Sequence, residues 1–311
     1  MMRRILLLVV CLSLLACQSE QEELRIGGNR WLGYAPFYLA DELQWMQPGG
    51  LRLVEYPNAT GVLRGFRNGL LDAALLTLDE ALALQSSGHD LELLLVTDIS
   101  AGADALYARE PIKHISDLKN QRIGVENTAL GAFILSRVLD KAGLERSDLQ
   151  VIDLPVHEHV GALRDGRIDA LITFASEGPA LETLGAKRIF DSREMPEEII
   201  DVLVVERSRV DAKARERIKR LWYDALGNWQ HNRASTDPYL HKRLGLEPRS
   251  LQVTLEGLVM GDQALNQYLF KNGLLLQRMQ LVHQYMLDYQ LLKQPGQPEA
   301  MLPAECRRRG C

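Results

Sequence analysis

RNGLLDAALLT, residues 67–77, and RDGRIDALITF, residues 164–174, are two versions of one pattern. A second pair repeats at the same offset of 97 residues, with LRIGGN at 24–29 and QRIGVEN at 121–127. In the longer pair the glycine can adopt the left-handed conformation that ends a helix, and the apolar run after the aspartate is typical of a short buried strand. Each half therefore predicts a strand, a helix and a second, parallel strand.

The remaining elements are read from apolar periodicity. Further strands are predicted at 91–97, 104–108, 150–154, 187–190 and 199–205, and helices at 36–45, 60–69, 130–143, 159–166 and 177–185. After about Arg209 apolar residues recur every three or four positions, which predicts packed helices within 213–232, 255–270 and 274–292. The proline-containing tail, 291–311, is predicted to be a loosely ordered extension.

The N-terminus has the layout of an export signal. Arg3 and Arg4 precede an apolar run that is too short for a comfortable membrane span. Leu14 to Cys17 resembles the lipobox of bacterial lipoproteins, which implies a signal peptide at 1–16, lipidation of Cys17 and a polar tether at 17–23. A plain cleaved signal is the alternative.

Charge and cysteine content restrict the partners. Removal of residues 1–16 takes away two arginines and no acids, so the formal charge changes from −5 to −7. An acidic chain of this kind argues against nucleic acid as a partner. Cys306 and Cys311 remain near the C-terminus and could form a disulfide outside the cytoplasm. A metal site there is not expected, because the tail contains no histidine and no further cysteine.

Four segments together resemble a known family: WLGYAPFYLA at 31–40, GADALYAR at 102–109, ISDLKNQRIGVE at 115–126 and GRIDALITF at 166–174. They are similar to periplasmic substrate-binding proteins of ABC importers, in the branch that binds nitrate, sulfonates, taurine and thiamine-precursor pyrimidines. The resemblance implies an α/β, two-lobed periplasmic binding protein fold of type II, with the ligand in the cleft between the lobes. It implies lobe 1 at 24–107 plus 203–290 and lobe 2 at 108–202.

In open α/β sheets ligands lie beyond the carboxyl ends of the strands, near helix N-termini. Trp31 and Tyr34 follow the first strand at that end, and we predict that they form aromatic walls of the cleft. Trp31 covering a sheet edge is the alternative. The complete set of predicted ligand-binding residues is Trp31, Tyr34, Asn58, Thr60, Thr77, Asp79, Ser100, Asp104, Glu126, Thr128, Phe174 and Glu177.

This set contains four acids and no lysine or arginine. Thr60 and Asp79 could instead be helix N-caps. Helix N-termini alone could hold a sulfonate, but converging carboxylates would repel an anion, so an amine or a protonatable heterocycle is the expected ligand.

Other functions are weaker alternatives. His157 and His159 have the spacing of two metal ligands, but no third ligand is evident, so no metal and no cofactor are expected. A thiamine-pyrimidine-synthase-like enzyme is disfavoured because no cysteine lies between 18 and 305. We expect a monomeric, lipid-anchored periplasmic protein, on the outer or inner membrane, that delivers a small molecule to an ABC permease. A ligand sensor docking on a membrane receptor is the alternative.

Overall fold

The computed structural model describes residues 23–309, and within them the chain forms eleven strands in two mixed sheets. In chain order the strands are β1 Leu24–Asn29, β2 Leu51–Tyr56, β3 Ala73–Thr77, β4 Leu91–Ser100, β5 Asp104–Ala108, β6 Arg122–Val125, β7 Gln150–Asp153, β8 Ala170–Phe174, β9 Lys187–Asp191, β10 Ile200–Glu206 and β11 Leu258–Met260. The first sheet has the order β11-β4-β10-β3-β1-β2, and the second has the order β7-β6-β8-β5-β9.

The sequence repeat corresponds to a repeat of strand pairing. In the first sheet β1 runs parallel to both β2 and β3, and in the second β6 runs parallel to both β7 and β8. Ile26 pairs with Ala73, and Ile123 pairs with Ala170. Both members of the second pair lie 97 residues after those of the first, so the two parallel units share one register.

Each parallel strand unit contains the same pair of hydrogen bonds from an arginine to an aspartate. The backbone amide of Arg25 and its Nε donate to Asp72 Oδ2 at 2.9 and 3.0 Å. The corresponding groups of Arg122 donate to Asp169 Oδ2 at 3.1 and 2.8 Å. The repeated arginine and aspartate therefore tie the start of one strand to the residue before its parallel neighbour, which explains why both residues recur at an offset of 97.

The helices cover both sheets. They are α1 Ala35–Glu42, α2 Ala59–Arg67, α3 Leu78–Ser86, α4 Ala129–Ala142, α5 His159–Arg164, α6 Gly178–Thr183, α7 Ala212–His231, α8 Arg233–Leu244, α9 Pro248–Glu256, α10 Gln263–Lys271, α11 Leu274–Asp288 and α12 Ala304–Arg309. Side-chain caps fix several helix starts: Asn58 accepts from Gly61 N at the start of α2, and Thr128 accepts from Gly131 N at the start of α4. In the part of the chain that the structure describes, no helix is both long and apolar enough to span a bilayer.

The chain passes between the sheets twice, after β4 and after β9. The strand Asp104–Ala108 pairs in the second sheet, not in the lobe that contains residue 24, where the sequence-based boundary placed most of it. The two passages are joined, because Ser192 Oγ lies 2.7 Å from Ser100 Oγ and accepts from Gly102 N at 2.6 Å. The lobe boundaries as a whole remain a prediction.

Two expectations for the C-terminal part were wrong in detail. The apolar pattern at 255–270 contains the short strand β11, which pairs with β4 before α10 begins. The tail is packed rather than loosely ordered: Met301 and Leu302 are buried, and Arg207 Nη2 donates to the carbonyls of Ala300 and Leu302. These two apolar residues sit among prolines, where periodicity gives no signal.

Cys306 is buried and disulfide-bonded. Cys311 lies outside the described residues, as does Cys17, so the proposed pairing and the lipidation remain predictions.

Candidate functional site

The carboxyl ends of β1 and β3 in the first sheet and of β6 and β8 in the second meet at a cleft. Its inner part is a cavity of about 30 Å³, which we call the inner cavity. Its outer part is a hollow of about 740 Å³, which we call the outer cleft. Four residues line both, and they form the neck between them: Asn29, Trp31, Glu126 and Phe174.

Aromatic rings from the two sheets meet at the neck. The ring centroids of Trp31 and Phe174 lie 5.1 Å apart, and only 8 % of Trp31 is exposed. Trp31 Nε1 donates to Asp98 Oδ1 at 3.4 Å. Gly33 makes this approach possible, because a Cβ at that position would lie 2.0 Å from Asp98 Oδ2. Trp31 is therefore a wall of the neck, held in place by a buried carboxyl group.

Acidic side chains surround the inner cavity. Glu80, Asp104 and Asp201 line it, each at most 3 % exposed. Asp98 lies beside Asp201 because the two are directly paired residues of β4 and β10. Asp79 is also buried, and its charge acts on that of Asp104.

Some of these acids have partners and others do not. Tyr34 Oη donates to Asp201 Oδ1 at 2.5 Å, and Thr77 N donates to Glu80 Oε2 at 3.1 Å. Glu80 Oε1 and both oxygens of Asp104 accept no hydrogen bond of good geometry from the described residues. The Ser100 hydroxyl lies 2.7 Å from Ser192 Oγ and accepts from Asp104 N at 3.2 Å. Unpaired buried carboxylate oxygens are costly, so a hydrogen-bond donor at this position would be energetically favourable.

The electrostatics follow from this burial. Loss of hydration raises the pKa of Asp104 to about 6, and the Ser100 hydroxyl only partly opposes that rise. Burial likewise raises the pKa of Glu80, Asp98 and Asp201, and neighbouring carboxylates raise each of them further. The described lining of the inner cavity contains no lysine, arginine or histidine. Arg30 and His157 are exposed and line only the outer cleft.

Most of the predicted residues come together here, although their role in binding stays a prediction. Seven line the inner cavity: Trp31, Tyr34, Thr77, Asp104, Glu126, Thr128 and Phe174. Asn58 and Glu177 line the outer cleft only. Thr60, Asp79 and Ser100 line neither, and the caps of the helices that contain Thr60 and Asp79 are Asn58 and Thr77.

Sequence reasoning missed Glu80, Asp98 and Asp201. Asp98 and Asp201 lie inside the apolar runs LLLVTDIS and IIDVLVV. An acidic residue inside a buried strand was the available signal, but the site residues were predicted from positions at the ends of strands. Glu80 is three residues after Thr77, the spacing of a capping box.

The two histidines considered as metal ligands have separate environments. His159 Nδ1 lies 2.8 Å from Thr173 Oγ1 and its Nε2 lies 3.1 Å from Leu154 O, while His157 is exposed. Burial lowers the pKa of His159. Between residues 23 and 309 no three His, Cys, Asp or Glu side chains are placed so that together they could hold a metal ion.

Residues 17–236 match the model of the NMT1-like family. The chain belongs to the NMT1-like family. Among the curated relatives, one from Escherichia coli K12 is named as an aliphatic sulfonates-binding protein and is 27% identical over 170 residues, 53% of each chain. Another, from Brucella abortus strain 2308, is named only as a binding protein and is 30% identical over 126 residues, 38% of each chain. The chain thus spans about half or less of the curated relatives it matches.

Solved structures share the fold over nearly the whole chain. The alkanesulfonate-binding protein SsuA from Xanthomonas axonopodis pv. citri, bound to MOPS, has a TM-score of 0.77 at 20% identity and covers 92% of this chain and 99% of its own. SsuA from Escherichia coli has a TM-score of 0.72 at 19% identity, covering 91% and 92%. DszB with biphenyl-2-sulfinic acid has a TM-score of 0.65 at 16% identity, covering 92% and 98%. The two-lobed periplasmic binding protein fold expected from the sequence is confirmed.

Proposed function

We propose that this chain is the solute-binding protein of an ABC importer and that its ligand is a small molecule with a cationic amine or a protonatable heterocycle. The carrying observation is the ring of buried carboxyl groups around an inner cavity without a basic side chain in its described lining. A bound cation would supply the positive charge and the hydrogen-bond donors that the buried carboxyl groups lack. Burial of these groups destabilises the ligand-free protein, and relief of that cost on binding would contribute to affinity.

A sulfonate is the second candidate. One curated relative and both SsuA structures are named for sulfonates. The first turns of α2 and α4 lie at the inner cavity, which Ala59, Thr128 and Leu130 line. Helix N-termini favour anions. Asp104 opposes them, because its pKa of about 6 leaves it charged at pH 7 and an anion would share a low-dielectric space with that charge. We therefore rank the cation first.

Binding without chemistry is the mechanism that we propose. The aromatic neck joins residues of both lobes, so ligand capture would be coupled to lobe closure, and the closed form would dock on the membrane partner. Trp31 and Phe174 would contact the ligand with their ring faces, which attract cations. A catalytic role like that of a pyrimidine synthase is disfavoured because residues 18–305 contain no cysteine.

Anchoring and location are part of the proposal. The described chain enters β1 at Leu24, so residues 17–23 would tether the folded body to the membrane through a lipid on Cys17, in the periplasm. The protein would act as a monomer. A sensor role, with docking on a membrane receptor, would use the same site and the same closure.

A thermal-shift screen of residues 18–311 tests the ligand class. Amines, nitrogen heterocycles, amino acids, sulfonates and nitrate are compared at equal concentration and pH. Ligand at a hundredfold excess over its Kd stabilises the native state by about 2.7 kcal/mol. We expect shifts from amines or heterocycles, and shifts confined to sulfonates would reject the cationic assignment.

A further inference from the structure

The inner cavity is much smaller than the outer cleft. One water-sized group needs about 10–15 Å³, so the inner cavity, at about 30 Å³, accommodates about two such groups. The outer cleft, at about 740 Å³, accommodates a whole small molecule. A ligand that uses both must place a small end group inside and its body outside.

The unpaired acceptors define that end group. Within the described residues the inner cavity is lined by three carboxylate oxygens without a good hydrogen bond: Glu80 Oε1, Asp104 Oδ1 and Asp104 Oδ2. Asp104 is 2 % exposed and Glu80 is 1 % exposed, so bulk water does not satisfy them. Asp201, by contrast, already accepts from Tyr34. An –NH₃⁺ group has three N–H donors and no acceptor.

We propose that the ligand carries a terminal primary ammonium group, held in the inner cavity by Glu80 and Asp104, with its carbon chain leaving the cavity beside the contacting rings of Trp31 and Phe174. This inference rests on the proposed function and narrows it to a substrate class. A quaternary ammonium has the same charge but no N–H, and three methyl groups exceed the space of about 30 Å³. A sulfonate has neither the charge nor the donors.

The outer cleft sets weaker limits on the body of the ligand. Its lining combines Arg30 and His157 with Glu55 and Glu177, and it also includes apolar residues such as Leu244. A lining with charged, polar and apolar residues is compatible with either a polar or an apolar remainder of the ligand. Specificity for the ammonium end therefore resides in the inner cavity.

A matched four-carbon series tests the proposal by calorimetry on residues 18–311. The probes are n-butylammonium, N,N,N-trimethylbutylammonium and butane-1-sulfonate. We expect n-butylammonium to bind at least about tenfold more tightly than the trimethyl compound, because loss of one charged hydrogen bond alone corresponds to that factor.

The other outcomes distinguish failure of the primary-ammonium inference from failure of the proposed cationic ligand. Equal affinity for both cations overturns the primary-ammonium inference and leaves the cationic ligand standing. Binding of butane-1-sulfonate alone overturns both. Binding of none of the three also overturns this inference, since the end group is the part of the ligand that it specifies.

Variants then locate the contact. Glu80→Gln keeps an acceptor for Thr77 N, and Asp104→Asn keeps the shape of the side chain. Each therefore removes a carboxyl group, and the charge that it would carry beside a bound ammonium, with little change in packing. We expect each to weaken n-butylammonium binding by at least about tenfold. Glu42→Gln, at the exposed end of α1, removes the same charge away from the cavity and serves as the control. Unchanged affinity in both cavity variants would overturn the assignment of these carboxylates.

Discussion

Replacement of Asp104 by asparagine should stabilise the protein without ligand and weaken ligand binding. The side chain is 2 % exposed and its carboxylate oxygens lack well-formed hydrogen bonds among the described residues. Burial raises its pKa from 3.8 to about 6. At pH 7 the carboxyl group is ionised in both states, and this rise corresponds to about 3 kcal/mol of native-state destabilisation.

The asparagine amide removes that charge but must find partners of its own. We therefore expect the free energy of unfolding of Asp104→Asn to rise by about 1–3 kcal/mol at pH 7. The corresponding rise in Tm is about 2–6 °C. Chemical denaturation of the ligand-free protein at pH 7 measures the change, and scanning calorimetry gives the Tm.

Asp169→Asn is the matched control. Asp169 has the partners that Asp104 lacks, since Arg122 and Arg109 both donate to it and hold the pKa of its carboxyl group well below the usual range. Its replacement should lower the free energy of unfolding by at least about 1 kcal/mol. A loss of stability in Asp104→Asn as large as that in Asp169→Asn would mean that Asp104 supports the fold, and the argument for a ligand contact there would be refuted.

The remaining predictions concern pH, the aromatic wall and the anchor. Because the pKa of Asp104 is raised on folding, the native state binds more protons than the unfolded state between about pH 4 and 6. The free energy of unfolding of the ligand-free protein should therefore rise as the pH is lowered through that window. A free energy of unfolding that falls steadily over the same range, measured by urea denaturation, would contradict this prediction. Trp31→Ala should weaken ligand binding by about tenfold. Because the Trp31 ring is buried against Phe174, the same change should lower the free energy of unfolding by about 3 kcal/mol. A ligand affinity equal to that of the wild type in calorimetry would exclude a ligand contact by Trp31. Cys17→Ser should release the exported protein from membranes, and continued membrane fractionation would show that another feature anchors it.

The repeat was the part of the fold most accessible from sequence. Arg25 and Asp72 lie in one local unit, and their counterparts lie at a constant offset, so periodicity and composition sufficed to predict two parallel units. The residues beyond strand ends were found for the same reason, because the carboxyl edge of a parallel sheet is a local property.

Two buried acids at or beside the inner cavity, Asp98 and Asp201, could not be predicted in this way. Asp98 and Asp201 become neighbours only through the antiparallel pairing of β4 with β10, strands that are far apart in sequence. The apolar residues around Asp98 and Asp201 raise their pKa values by burial. The same residues led both segments to be predicted as ordinary buried strands. The packing of Met301 and Leu302 was missed because it depends on tertiary contacts and not on periodicity.

The charge of the natural ligand tests the central claim most directly. The protein is isolated from cells without dialysis, the bound molecule is released by unfolding, and mass spectrometry is run in both ion modes. We predict a molecule with a basic nitrogen, detected as a cation. A sulfonate or another acid without a basic nitrogen would contradict the account of the acidic cavity.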